Sequence, residues 1–366
     1  MHLFIVTLVI FMLSTISLVY LRPLAIRLNF VDIPNGRKSH NGHIPLVGGV
    51  STLLGVWIIA LAVPNSLPYQ LEYTCLASFL VIVGLIDDRL DISALSRLVV
   101  IAGVSVWLVK GEGIAIDYLG NLFGSGDVYL GSWSLLFTVA AVIGCVTAFN
   151  MVDGIDGLLG ALASVSIAAL GILFWLSDHV GVSTFCYLFV VAMLPYICFN
   201  LGLKVKSKYK VFMGDSGSFL VGFTIIWLLV FATQEVNLDG FSRPPMHAVT
   251  ALWVIAIPLM DMALVMLRRV FNLKSPFNAD RTHIHHVLIA FGMSSKVVLV
   301  TVFSMSVFIA TIGVWLDASG ADESLSLILF LVLFLVYCSI MTLIQFNTKV
   351  EGSAPEVLDT ERELNV

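Results

Sequence analysis

Charged side chains are scarce in this 366-residue chain. Asp, Glu, Lys and Arg make up 12% of it, about half the share of an ordinary soluble domain, while apolar residues make up 59%. With a mean hydropathy of +1.00, that balance excludes a soluble enzyme. Cysteine is sparse as well. Cys75, Cys145, Cys186, Cys198 and Cys338 lie in apolar stretches with no CxxC pair and no histidine at metal spacing, so they read as small core residues and no disulfide framework is expected. With only 11 prolines, no fixed-period repeat and no low-complexity tract, collagen-like, solenoid and disordered architectures fall away. No basic stretch precedes the apolar residues 3–21, and Arg22-Pro23 stands where a small-residue cleavage site belongs. That segment is therefore expected to stay as a span and not to act as a signal peptide.

What the chain does have is long apolar runs. Eleven stretches, 3–21, 44–63, 71–86, 97–113, 132–149, 158–176, 183–202, 214–233, 248–267, 295–316 and 324–346, match the roughly 20 residues a helix needs to cross about 30 Å of hydrocarbon. Transmembrane barrels use strands of about ten alternating residues, so the expected fold is all-α, a polytopic membrane protein of about 11 transmembrane helices. Under this threading all of the 19 basic residues except Lys110 and Arg243 fall on one side. Basic residues stay preferentially in the cytoplasm, which sets the N-terminus outside and the C-terminus inside. Residues 114–131 are too polar to span and are expected to form an outer hairpin. Residues 1–346 form the membrane domain, and 347–366 a polar, disordered cytoplasmic tail.

Four polar constellations land on the basic side. Asp87-Asp88-Arg89-Leu90-Asp91 ends the third stretch; if the helix runs through it, the three carboxylates share a face and need a divalent cation, a basic group or a shared proton to offset their repulsion. Asn150, Asp153 and Asp156 recur every three residues, with Gly154, Gly157 and Gly160 at the same interval, a supply of hard oxygens suited to Mg²⁺ or simply a tight turn. Phe212-Met-Gly-Asp215-Ser-Gly-Ser218 opens the eighth stretch just after Lys204, Lys206, Lys208 and Lys210. A glycine-rich turn at a helix start offers backbone N–H groups to phosphate; the lysines either mark topology or attract an anionic substrate or headgroup. The longest inner loop carries Arg268-Arg269 and Asp280-Arg-Thr-His283-Ile-His285-His286, which lacks an HExxH or cysteine partner for zinc but suits phosphate. Asp261, near the inner end of the ninth stretch, is a costly intramembrane acid and a functional candidate on that ground. Carboxylates for a metal beside cations for phosphate are the parts of a phosphoryl-transfer site, and its place at the bilayer suggests a lipid phosphate as one reactant.

These motifs, together with the PNGRKSHNGHIPLVGG segment at 34–49 and IPLMD at 257–261, resemble the polyprenyl-phosphate N-acetylhexosamine-1-phosphate transferase family. The form of HIHH is similar to the branch that uses UDP-GlcNAc, not the one that uses a muramyl pentapeptide donor. The resemblance implies a phosphotransferase that moves GlcNAc-1-phosphate from UDP-GlcNAc to undecaprenyl phosphate. It would release UMP at the cytoplasmic face of the bacterial inner membrane and prime O-antigen or enterobacterial common antigen synthesis. It also implies Mg²⁺, or Mn²⁺, held principally by Asp215 with Asp156; catalytic Asp87, Asp88 and Asp215; Asn150, Asp153 and Asp156 in the nucleotide and metal site; and His283, His285, His286 and Arg268 at the donor. The partners implied are UDP-GlcNAc, undecaprenyl phosphate and the lipid bilayer, with no nucleic acid; a homodimer is left open. The acidic tail departs from the basic tail that the resemblance implies. Another UDP-N-acetylhexosamine fits the same residues. A cation-coupled transporter fits less well, since transporters place their polar groups near the midplane.

Overall fold

The computed structural model describes residues 2–32, 42–202, 209–234, 244–275 and 282–348. In chain order they form α1 (His2–Arg27), β1 (Val31–Asp32), β2 (Ile44–Pro45), α2 (Gly48–Ala62), α3 (Gln70–Leu90), α4 (Ala94–Gly111), β3 (Tyr118–Gly120), β4 (Val128–Tyr129), α5 (Ser134–Met151), α6 (Leu158–Leu176), α7 (Val180–Asn200), α8 (Gly214–Thr233), α9 (Thr250–Val254), α10 (Ala256–Phe271), α11 (Ile284–Ala290), α12 (Ser295–Ala318) and α13 (Glu323–Thr348). Each of the eleven expected stretches is helical, and nine helices among the described residues are long and apolar enough to cross a membrane. The protein is an all-α polytopic membrane protein.

Two expected spans differ in detail. The second is shortened to α2, whose 15 residues rise only about 22 Å, because residues 44–46 run extended: β2 pairs antiparallel with β1 and Leu46 bridges Phe212. The ninth is broken at Ile255 into α9 and α10. Pro258 accounts for the break, since its ring clashes with the carbonyl four residues back and favours a place in the first turn of a new helix. The expected hairpin forms, with β3 and β4 antiparallel. Its first strand is anchored by Gln234, whose side-chain oxygen accepts the backbone N–H groups of Asp117 and Tyr118 at 2.9 and 3.0 Å.

The centre of the bundle is α8. Every residue from Ser216 to Thr233 is buried, as expected of a helix apolar on all sides, and α3, α5, α2 and α6 pack around it. By contrast α1 and α13 bury few of their residues and present broad apolar faces suited to lipid. Close approach to the start of α8 depends on glycine. A Cβ on Gly84 of α3 would overlap the Asp215–Ser216 backbone, and one on Gly49 of α2 would overlap Gly217. The polar first turn of α8 is thereby brought against the ends of α2 and α3. The tail beyond Thr348 lies outside the described residues, as do Lys204, Lys206, Lys208, Asp280 and Arg281.

Candidate active site

The first turn of α8 gathers three of the four motifs. Gly214 adopts φ +72°, and a side chain there would meet Asp88 Oδ2 at 2.5 Å, so glycine is required on both counts. Asp88, in the last turn of α3, accepts the backbone N–H of Asp215 on Oδ1 at 2.7 Å and that of Ser216 on Oδ2 at 3.3 Å. A carboxylate here satisfies orphan N–H groups and the positive end of the helix. These two donors are consequently taken by the protein itself, and the expectation that they are free to hold phosphate is corrected. Asp215 Oδ1 accepts from Asn150 Nδ2 at 2.6 Å, and the same amide reaches Ser218 Oγ at 2.8 Å.

Asp87 turns elsewhere, as adjacent helical residues must. It is buried, accepts the Ile92 N–H on Oδ1 at 3.1 Å and pairs through Oδ2 with Arg97 Nε at 3.2 Å. Arg97 also places Nη1 4.0 Å from Asp215 Oδ2, so one guanidinium stands beside both carboxylates. Asp91 does not join them: α3 ends at Leu90 and Asp91 is left-handed, at φ +47°, which turns its exposed side chain off the helix face. The shared face of three carboxylates is replaced by two carboxylates with separate partners.

Asn150, Asp153 and Asp156 also diverge. α5 ends at Met151; Asn150 points to α8, Asp153 is exposed on the following turn, and Asp156 pairs through Oδ2 with Lys210 at 2.6 Å. The turn is fastened by Asn200 at the end of α7, which accepts the Gly157 N–H at 2.5 Å and donates to the Val211 carbonyl at 2.9 Å.

The fourth motif meets the others through Gly154, since a Cβ there would overlap the His285 ring at Nε2. His285 is 1% exposed and its Nδ1 has no hydrogen-bond partner; burial, then the neighbouring His286, pushes its pKa down to about 3. Buried in this way, the ring packs against Gly154. His283 is buried too, with Nδ1 2.8 Å from Asp261 Oδ2. Only His286 is half-buried, its ring centroid 4.2 Å from that of His285. Of the three histidines expected at the donor, His283 and His285 are thus buried and His286 is the more open. Arg268 donates from Nη2 to Thr342 Oγ1 on α13 at 3.0 Å.

The comparisons decide what these motifs belong to. Residues 71–233 match glycosyl transferase family 4. The undecaprenyl-phosphate alpha-N-acetylglucosaminyl 1-phosphate transferase of Escherichia coli (strain K12) is 41% identical over 329 residues, 90% of this chain and 88% of that protein. The enzyme of the same name from Yersinia pestis is 43% identical over the same shares, and that from Haemophilus influenzae 41% identical over 90% of this chain and 91% of its own. The chain belongs to glycosyl transferase family 4. The family match holds Asp87, Asp88, Asn150, Asp153, Asp156 and Asp215; His283, His285 and His286 lie beyond it.

Sequence reasoning missed Arg97 and Asn200 as parts of this site. Arg97 had a signal, four residues after Ser93, which caps α4 by accepting the Ser96 N–H at 3.2 Å: a helix that starts there puts a basic residue in its first turn, against the helix dipole. Among the described residues no group of three or more His, Cys, Asp or Glu is arranged as a metal cage. The donors still fit Mg²⁺, which commonly takes one or two carboxylates and fills its octahedron with water and substrate phosphate. Asp215 has Oδ1 engaged by Asn150 and Oδ2 4.0 Å from Arg97 Nη1, and Asp156 has Oδ2 engaged by Lys210.

Proposed function

We propose that the chain transfers GlcNAc-1-phosphate from UDP-GlcNAc to undecaprenyl phosphate, giving GlcNAc-pyrophosphoryl-undecaprenol and UMP. It is a phosphotransferase. The observation that carries the reading is the convergence of Asp88, Asn150 and Arg97 on Asp215 at the mouth of α8, in a chain at least 41% identical over 90% of its length to transferases named for this acceptor and sugar.

The reaction needs one P–O bond made and one broken. An oxygen of the lipid phosphate attacks the phosphorus that carries the sugar, the bond to the bridging oxygen breaks, and UMP leaves with that oxygen. A phosphate monoester with a second pKa near 6 is mostly dianionic at neutral pH, so the acceptor requires little deprotonation and direct in-line attack is favoured. Asp87 and Asp88 then hold the site in shape more than they move protons. Asp88 fixes the α8 terminus, while Asp87 fixes Arg97, whose guanidinium is suited to phosphate oxygens. Asp215, with Asp156, would hold Mg²⁺ or Mn²⁺, which neutralises charge developing on the phosphates. His286 and the turn carrying Asp153 and Asp156 form the side that receives the sugar nucleotide. The basic-residue count supports a site facing the cytoplasm; in a bacterial inner membrane the product would prime O-antigen or enterobacterial common antigen synthesis, and a homodimer is compatible with this reading.

The test is transfer of radiolabelled sugar phosphate by purified protein, with UDP-MurNAc-pentapeptide as control. Metal-dependent labelled lipid from UDP-GlcNAc alone is expected; silence with UDP-GlcNAc and labelled lipid from another sugar nucleotide would overturn the donor assignment. Exchange of labelled UMP into UDP-GlcNAc without acceptor would replace direct attack by a double displacement.

A further inference from the structure

Asp261 lies outside the cluster at α8, yet it is among the most completely engaged polar groups in the protein. It is 1% exposed. Its Oδ2 lies 2.8 Å from His283 Nδ1, and its Oδ1 accepts the Ile284 N–H at 2.8 Å and the Tyr337 hydroxyl at 3.0 Å. Three elements are thus tied to one carboxylate: α10, which bears it, the start of α11, and α13. Burying a carboxylate is costly without such compensation, and all of its partners are themselves buried.

The consequence runs through the histidines. An ionised carboxylate is an acceptor only, so His283 must carry a proton on Nδ1. The His283 ring lies parallel to that of His285, at an interplanar angle of 3° with centroids 5.9 Å apart, and His285 rests on Gly154. Asp261, His283, His285 and Gly154 form a continuous stack from α10 to the turn that carries Asp153 and Asp156.

We propose that Asp261 is a positioning residue for the sugar-nucleotide side of the site: it fixes the Nδ1–H form of His283 and the seat of α11, and through the His283–His285 stack it holds α11 on the 152–157 turn. The proposal rests on the function given above for what that side binds. Asp261 bonds to His283, Ile284 and Tyr337 and Asp88 to the start of α8, so loss of Asp261 acts on the 152–157 turn and leaves the α8 terminus in place.

Asp261→Asn makes the test specific. The amide oxygen is best placed at the Oδ1 position, where it meets two donors, which turns the NH₂ toward His283 and forces its Nδ1 to accept. The histidine proton moves to Nε2. With ¹⁵N-histidine labelling, and a His283→Gln sample to assign the signal among the eight histidines, His283 is expected to be protonated on Nδ1 in the wild type and on Nε2 in D261N. The KM for UDP-GlcNAc should rise about 10- to 100-fold, in keeping with the loss of a hydrogen bond to a buried charged group, while the KM for undecaprenyl phosphate stays within about twofold of wild type. A bare Nδ1 in the wild type would overturn the proposal, as would an unshifted donor KM or equal rises in both KM values. A second pair of variants serves if D261N does not assemble. His283→Asn keeps an N–H for Asp261 and should bind donor about tenfold better than His283→Ala, in keeping with the cost of an unpaired buried carboxylate; equal affinities would sink the idea. Wild-type enzyme that turns over a different sugar nucleotide would refute the function while leaving the spectroscopic result to decide the stack.

Discussion

Asp88 and Asp215 are 127 residues apart, yet the Asp88 carboxylate accepts the Asp215 backbone N–H at 2.7 Å. The acid of one motif therefore acts as the helix cap of another, and the two carboxyl groups are placed by a single contact. Replacing Asp88 by Asn sets an NH₂ against a backbone N–H. Loss of this charge-assisted bond should cost about 1.5–3 kcal/mol, read as a lower Tm in detergent. Transfer should fall at least about 100-fold, as when a preorganised donor is lost. Wild-type turnover in D88N would show that the cap does not set the site.

Gly154 and His285 should be coupled. Gly154→Ala alone drives a methyl into the imidazole and should weaken UDP-GlcNAc binding about tenfold, since contacting residues couple by about 0.5–3 kcal/mol. In a His285→Ala background the same change should cost far less. Additive losses in the double-mutant cycle would remove the contact from the argument.

Arg97→Ala leaves the buried Asp87 carboxylate without its cation. Breaking such a pair costs about 3 kcal/mol, and Arg97→Lys should recover only part of it because a single ammonium does not reproduce the guanidinium fork. Thermal unfolding and transfer rates for the two variants check the order wild type, lysine, alanine.

Stability should depend on pH with a sign set by His285. Its folded pKa of about 3 lies below the ordinary 6.5, so its contribution is full above pH 6.5 and is lost as pH falls from there toward 3, by up to about 1.4 kcal/mol per pH unit. His247 has the opposite sense. Its hydrogen bond to Asp317 raises its pKa, so its contribution is full below 6.5 and is lost as pH rises through the folded value. Tm profiles from pH 5 to 9 should show a flatter acid limb in His285→Phe and a flatter alkaline limb in His247→Gln. An unchanged acid limb in the first would show that His285 does not titrate as buried.

Chelation should abolish transfer and Mg²⁺ restore it. Asp215→Asn should cost about tenfold more activity than Asp156→Asn, because Asp215 is fixed where Asp88, Asn150 and Arg97 converge, whereas Asp156 is exposed and held only by Lys210, and a ligand oriented by its neighbours holds a metal better. Equal losses would place both residues on the metal alike.

Much of this was legible in the residues. Apolar run lengths gave the helices, because a backbone crossing hydrocarbon must satisfy its own hydrogen bonds within one helix. The turn at 152–157 and the glycine-led start of α8 were visible as Gly-Asp pairs. The break at Pro258 and the shortening of α2 were not: the first sits inside an apolar run, and the second depends on pairing of residues 44–46 with distant segments.

The sequence by itself determined a polytopic helical membrane protein with acids and histidines grouped in four motifs, since hydrophobic length and residue type are local properties. Tertiary structure alone decided what each motif does. Asp87 has Arg97, Asp88 caps α8, Asp91 turns away, His285 is packed out of water and Asp261 anchors His283. Glycines let the chain approach closely at the start of α8 and at His285, and burial, not the residue type, sets which acid or imidazole is free to meet a substrate.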